Sequence, residues 1–181
     1  MMNQLPYRNF KELMQNSVFS KELMLEYLNG GISNVDDAIT LALSNEQPFA
    51  WRSAWILGHF LNNCDERLIP HRSQLVKAIA DASPDGYQRE LLRLAAMCGI
   101  NDSNAGEIAD ICFAIWEQPR KQSSVRMIAF KILMQISNMY PEMKPELLLI
   151  TDTYSDTMSP GVKHSISLLR KKIEKEITKQ R

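Results

Sequence analysis

The residues best suited to chemistry stand in the segment PFAWRSAWILGHF, residues 48–60. Trp51, Trp55 and His59 are spaced i, i+4 and i+8, so a helix would place them in one stripe, with Arg52 beside it. An aromatic and basic stripe suits an acidic peptide, a phosphate-bearing ligand or a nucleic acid strand. Tryptophans at this spacing are also typical of packing between helices. On the sequence alone, both interpretations stay open.

The spacing of the histidines and cysteines does not indicate a metal site or a catalytic nucleophile. His59 and Cys64 are five residues apart and His71 is seven further on, and no carboxylate pair completes a metal-ligand pattern. Cys98 and Cys112 lie inside apolar runs, where a thiol is usually an inert small hydrophobe. A glycine-rich phosphate loop is also missing from the sequence. We therefore predict no catalytic residue, no metal site and no cofactor.

The composition is that of an ordinary globular protein. The chain has 181 residues, 45% of them hydrophobic and 23% charged. Its formal net charge is zero, which argues against attraction of the whole molecule to nucleic acid or an anionic membrane. Three cysteines without close pairing favour a reducing compartment. With no signal-peptide pattern and no apolar run of the ~18 residues that a spanning helix needs, we expect a cytoplasmic protein of one domain, 1–181, without a membrane partner.

Four segments that resemble one another position the aromatic stripe. They are PFAWRSAWILG, DGYQRELLRLA, SSVRMIAFKIL and PGVKHSISLLR, and they align on Phe49, Tyr87, Val125 and Val162 in steps of 38, 38 and 37 residues. Apolar or small residues recur four and eight positions after three of the anchors, as on one stripe of a helix. Another apolar stretch precedes each segment: VDDAITLAL, SQLVKAIADA, EIADICFAIW and PELLLITDTY. The pattern predicts helix, turn, helix, turn, about four times over. Ser83 with Pro84 predicts an N-cap followed by the first helical residue.

The segment VRMIAFKIL from Val125 resembles the second helix of a HEAT repeat, with Val-Arg, an alanine three residues further on and a leucine four after that. The resemblance covers roughly residues 32–179, and the period of 38 lies close to the ~40–47 residues of HEAT and armadillo units. It implies an all-α fold, a right-handed α-α superhelix of about four helical pairs in residues 32–181, whose second helices line a concave surface. Residues 1–31 are expected to form an N-terminal helical cap. In such proteins an arginine at the position of Arg126 often pairs with an acidic group between repeats.

Stepping by the repeat period shows which residues occupy the positions of the aromatic stripe in the later repeats. Trp51 maps onto Arg89, and Trp55 maps onto Arg93 and then Lys131. The predicted groove is therefore basic with aromatic patches. Its candidate residues are Trp51, Arg52, Trp55, His59, Arg89, Arg93 and Lys131.

The resemblance implies a non-enzymatic scaffold that binds another protein or an acidic peptide in this groove. The alternative is a nucleic-acid-binding protein, including an enzyme similar to the HEAT-like DNA glycosylases that act on alkylated purines. The catalytic aspartate of those glycosylases matches no position of this sequence, and the zero net charge disfavours DNA.

Overall fold

A computed structural model describes residues 7–16, 20–153 and 158–179, and over these ranges it contains helices and no strand. The helices, in chain order, are α1 (Phe10–Asn16), α2 (Lys21–Leu28), α3 (Ile32–Leu43), α4 (Phe49–Phe60), α5 (Arg72–Asp81), α6 (Asp85–Cys98), α7 (Ala105–Trp116), α8 (Ser123–Met139), α9 (Lys144–Thr153) and α10 (Pro160–Lys179). Short 3-10 helices at Glu66–His71 and Pro141–Met143 precede α5 and α9. The all-α prediction is confirmed. Residues 1–6 and 17–19 of the predicted cap lie outside the described residues. Over the described ranges, every helix is too short or too polar to span a bilayer.

Helices α3 to α10 form the four predicted pairs, with α3, α5, α7 and α9 as first helices and α4, α6, α8 and α10 as second helices. One predicted boundary is wrong by a residue. Pro84 occupies the N-cap position, where the sequence pattern placed Ser83, and α6 begins at Asp85. Pro84 has an extended ψ of 126°, so helical geometry starts after it. Asp85 then brings a carboxylate into the first turn, where the helix dipole favours it.

The chain forms two compact units, Met1–Gly99 and Ile100–Arg181. In the first unit, α4 packs against α3 and also against α6. Its core is apolar, and its largest buried side chains include Phe10, Leu13, Met24, Ile39, Ile56, Leu57 and Tyr87. Two buried hydroxyls are satisfied by backbone carbonyls: Ser53 Oγ donates to the Ala38 oxygen at 2.6 Å, and Tyr87 Oη to the Ala42 oxygen at 2.8 Å. These hydrogen bonds join both second helices to α3.

The N-terminal helices are fastened to α3 through one carboxylate. Asp37 accepts a hydrogen bond from the backbone N–H of Phe10 at 2.6 Å and another from the hydroxyl of Tyr27 at 3.0 Å. Burial and the neighbouring Asp37 charge raise the pKa of Tyr27. Ser20 caps α2, and its side-chain oxygen accepts a hydrogen bond from the backbone N–H of Leu23. The cap of the first repeat is therefore a hydrogen-bonded part of the first unit.

In the second unit, α7 packs on α8 around Trp116, which is fully buried. Its indole N–H donates to the carbonyl of Ile150 at 3.3 Å, and its ring lies 4.8 Å from that of Phe130. Arg126 is buried as well: its Nε donates to the Trp116 carbonyl at 2.9 Å, and its guanidinium carbon lies 5.0 Å from the indole. Arg126 thus contacts an aromatic ring and a helix C-terminus within its own helical pair.

The last helix is held to α9 by charged side chains. Lys144 is buried, and its Nζ lies 3.1 Å from a carboxylate oxygen of Glu176. Arg170 Nη1 donates to the hydroxyl of Thr151 at 2.9 Å and also pairs with Asp152.

Among the four anchor positions, Tyr87 and Val125 are buried, whereas Phe49 and Val162 are half-buried. The anchors therefore face inward most completely in the two middle repeats.

Candidate functional site

Two glycines mark where side chains of α4 and α6 reach the neighbouring helix. A methyl group added at Gly86, in the first turn of α6, would lie 3.6 Å from Nε1 of Trp51, in the first turn of α4. One added at Gly58, near the end of α4, would lie 3.8 Å from Cζ of Arg93, late in α6. The two helices therefore run side by side in the same direction. The indole of Trp51 and the guanidinium of Arg93 therefore each lie against a glycine of the neighbouring helix.

The aromatic stripe of α4 reaches solvent. Trp51 is 39% exposed, Trp55 is half-buried and His59 is exposed. The imidazole of His59 lies 4.5 Å from the Trp55 ring at an interplanar angle of 56°, and Nζ of Lys21 lies 5.8 Å from the same ring. Trp55 thus has both a lysine cation and an imidazole as neighbours, and an indole face attracts a positive charge. Of the two interpretations of the stripe, interhelical packing alone does not account for the exposure of Trp51.

A buried carboxylate that sequence reasoning missed organises the basic part of the site. Glu90 has a side chain only 2% exposed, and its two oxygens accept from Nε of Arg89 and Nη1 of Arg93, each at 2.9 Å. The arginine side chains themselves are 30% and 38% exposed. Each guanidinium carries five N–H donors in a rigid fork. Glu90 therefore fixes one edge of each fork, and part of each arginine faces solvent.

These side chains define what we call the α4–α6 surface: Lys21, Trp51, Arg52, Trp55, His59, Arg89, Glu90 and Arg93. Arg52 is half-buried on α4. The remaining groove candidate, Lys131, is exposed on α8 and belongs to the other compact unit, so its part in a common groove stays a prediction. Six of the seven predicted binding residues thus belong to the two neighbouring second helices of one unit.

The two buried thiols are unlike catalytic nucleophiles, and the imidazoles complete no metal site within the described residues. Cys98 and Cys112 are buried, as their apolar runs predict, and burial raises the pKa of both thiols, that of Cys112 to about 12. A thiol is a poor nucleophile under these conditions because the thiolate is the reactive form. Within the part of the chain that the structure describes, His59 and His71 belong to no cluster of three metal-ligating side chains.

The family model of the HEAT repeat domain matches residues 13–177, from α1 into α10. The chain belongs to the HEAT repeat family. Comparisons with curated proteins and with solved structures gave no match. In a HEAT repeat protein, α4 and α6 are the second helices of consecutive repeats, and stacking such repeats creates extended surfaces that bind partners. The family therefore accounts for the side-by-side arrangement of α4 and α6, and the chemistry of their shared surface comes from this chain's own residues.

Proposed function

We propose that this HEAT repeat protein is a non-enzymatic binding module, and that its α4–α6 surface takes an acidic segment of another protein. The observation that carries the proposal is the arginine pair held by Glu90 on α6, together with the part-exposed Trp51 on the neighbouring α4. Guanidinium forks match the geometry of carboxylates and bind them bidentately. An exposed indole supplies apolar contact area next to them, as aromatic residues do at protein interfaces.

The charge of this surface supports an acidic ligand. Lys21, Arg52, Arg89 and Arg93 give four cations, while Glu90 and the neighbouring Asp85 at the start of α6 give two carboxylates, so the net charge is +2 on a chain of zero net charge. A positive patch of this kind steers and orients an acidic partner even where it adds little affinity. The free cysteines support a reducing compartment, and we place the interaction in the cytoplasm.

Fluorescence anisotropy with two matched peptides tests the proposal. One labelled peptide is rich in glutamate and has a central phenylalanine; the other has lysine in place of every glutamate. The acidic peptide should bind, the basic peptide should not, and Arg93→Gln should weaken binding about five- to tenfold, the effect of losing a half-exposed charged hydrogen bond of ~1 kcal/mol. Lys77→Gln, which removes an exposed cation on α5, is the matched control and should bind like the wild type.

Equal binding of the two peptides, or equal affinities of Arg93→Gln and Lys77→Gln, would contradict the acidic-ligand proposal. A parallel titration with single- and double-stranded DNA separates the nucleic-acid alternative. Affinity for DNA that falls steeply as salt is raised would favour that alternative, because phosphate contacts release counterions on binding. We expect no DNA binding at physiological salt.

A further inference from the structure

Two of the three cysteines meet at one corner of the first unit. Cys64 lies in the turn after α4, with a left-handed φ of 59°, and its backbone N–H donates to the carbonyl of Met97 at 2.7 Å. Cys98 is the next residue and the last of α6. Standard bond lengths on either side of this hydrogen bond place the Cα atoms of Cys64 and Cys98 no more than about 7 Å apart. Disulfides join Cα atoms that are about 4.4–6.8 Å apart.

The two thiols have different surroundings. Cys64 is exposed, whereas Cys98 is 3% exposed. Arg72, at the start of α5, donates from Nη2 to the Cys98 carbonyl at 3.0 Å. Burial raises the pKa of the Cys98 thiol, and the adjacent Arg72 guanidinium opposes part of that rise. A reaction that begins at the accessible sulfur of Cys64 can therefore end at Cys98, whose raised pKa slows the second attack and whose neighbour Arg72 offsets part of that effect.

We propose that Cys64 and Cys98 form a reversible thiol–disulfide site that takes low-molecular-weight disulfides such as oxidised glutathione. The Cys64 thiolate attacks the small disulfide, forms a mixed disulfide and releases one small thiol. The Cys98 thiolate then attacks the Cys64 sulfur, forms the Cys64–Cys98 bond and releases the second thiol. The two protons of the protein thiols end on the two released thiols. The protein loses two electrons, and the small disulfide gains them.

The bond would join the turn after α4 to the end of α6, the same two helices that carry the α4–α6 surface. Its formation closes a long loop that includes all of α5, so it restricts the unfolded chain and stabilises the first unit. The inference does not depend on the acidic-ligand proposal, because it rests on the backbone contact between Cys64 and Met97.

Glutathione redox titration of the full chain, followed by peptide mapping without reductant, tests the site. The expected product is a Cys64–Cys98 cross-linked peptide that disappears on addition of excess reduced glutathione, with a higher denaturant midpoint in the oxidised protein. Cys112 is the internal control and should stay reduced, since its side chain is fully buried. The Cys64→Ser variant replaces an exposed side chain, and it should form no cross-link and show no midpoint shift.

Three results would overturn the proposal. One is a mixed disulfide that persists on Cys64 while Cys98 stays reduced. Another is a disulfide between the Cys64 residues of two molecules. The third is a cross-link whose formation leaves the midpoint at the value of Cys64→Ser.

Discussion

Replacing Glu90 with glutamine removes the buried carboxylate that pairs with both arginines and keeps the volume of the side chain. In the wild type, two charged hydrogen bonds of 2.9 Å reach Glu90 from Arg89 and Arg93. A charged hydrogen bond contributes about 1.5–3 kcal/mol, but both arginines are about a third exposed, so water screens them. Glutamine keeps one acceptor oxygen, and the cost of burying the carboxylate is no longer incurred. We therefore expect Glu90→Gln to lower the free energy of unfolding by about 1–2 kcal/mol.

Urea denaturation, followed by tryptophan fluorescence and by circular dichroism, measures this loss. Glu26→Gln removes an exposed carboxylate on α2 and serves as the control; it should stay within about 0.5 kcal/mol of the wild type. A double-mutant cycle with Arg93→Gln isolates the pair. If Arg93 and Glu90 act together, the double variant should lose less than the two single losses combined, by about 0.5–1 kcal/mol.

A wild-type midpoint for Glu90→Gln, or a cycle without coupling, would refute this role of Glu90. Either result would mean that the carboxylate does not hold the two arginines in place. The binding proposal would then have to rest on the arginines and Trp51 alone, and the difference between Arg93→Gln and its Lys77→Gln control would decide it.

Three further predictions concern the rest of the chain. Tyr87→Phe should cost about 1–2 kcal/mol in urea unfolding, since it leaves the buried carbonyl of Ala42 without its 2.8 Å hydrogen bond. The Arg67 guanidinium lowers the pKa of Asp65 from 3.8 to about 2, so this carboxylate adds stability above pH ~4 that is lost as pH falls toward 2. Asp65→Asn should accordingly cost about 1–2 kcal/mol at neutral pH and little near pH 2, compared by thermal melts across pH. Cys112, whose thiol pKa burial raises to about 12, should react with maleimide only when the protein is unfolded, as mass spectrometry in increasing urea would show.

The helices follow from the sequence because burial fixes them. Each apolar stripe recurs at the period of the repeat, and a two-helix unit hides its stripe only against the next unit. Positions such as Val125 and Tyr87 therefore gave both the boundaries of the helices and the buried faces. Boundaries that depend on a single backbone angle were less predictable: Pro84 keeps an extended ψ, and the 3-10 helix Glu66–His71, which contains Pro70, has no apolar period of its own.

The aromatic half of the site was predictable for the same reason, since i, i+4, i+8 spacing alone puts Trp51, Trp55 and His59 on one stripe. Glu90 was not, although its spacing to Arg93 is the i, i+3 that brings helical neighbours together. The same carboxylate on an open helix face would be a solvated charge of small value. It becomes an organising group only because the fold buries it, and that burial is not visible in the spacing of the charges.

The proximity of Cys64 and Cys98 is harder to predict from the sequence than the arginine pair. Cys64 and Cys98 are 34 positions apart in sequence, nearly one repeat, so a period of 38 does not place them on equivalent positions. A backbone hydrogen bond from Cys64 to Met97 brings them together. Every residue except proline has the same backbone N–H, so the sequence does not indicate which one makes this bond. The left-handed φ of Cys64 could not be predicted either, because such a φ is usually predicted from a glycine, and this position holds a cysteine. Side-chain patterns thus predict which surfaces are buried, whereas contacts made by the turns between repeats have to be seen in the structure.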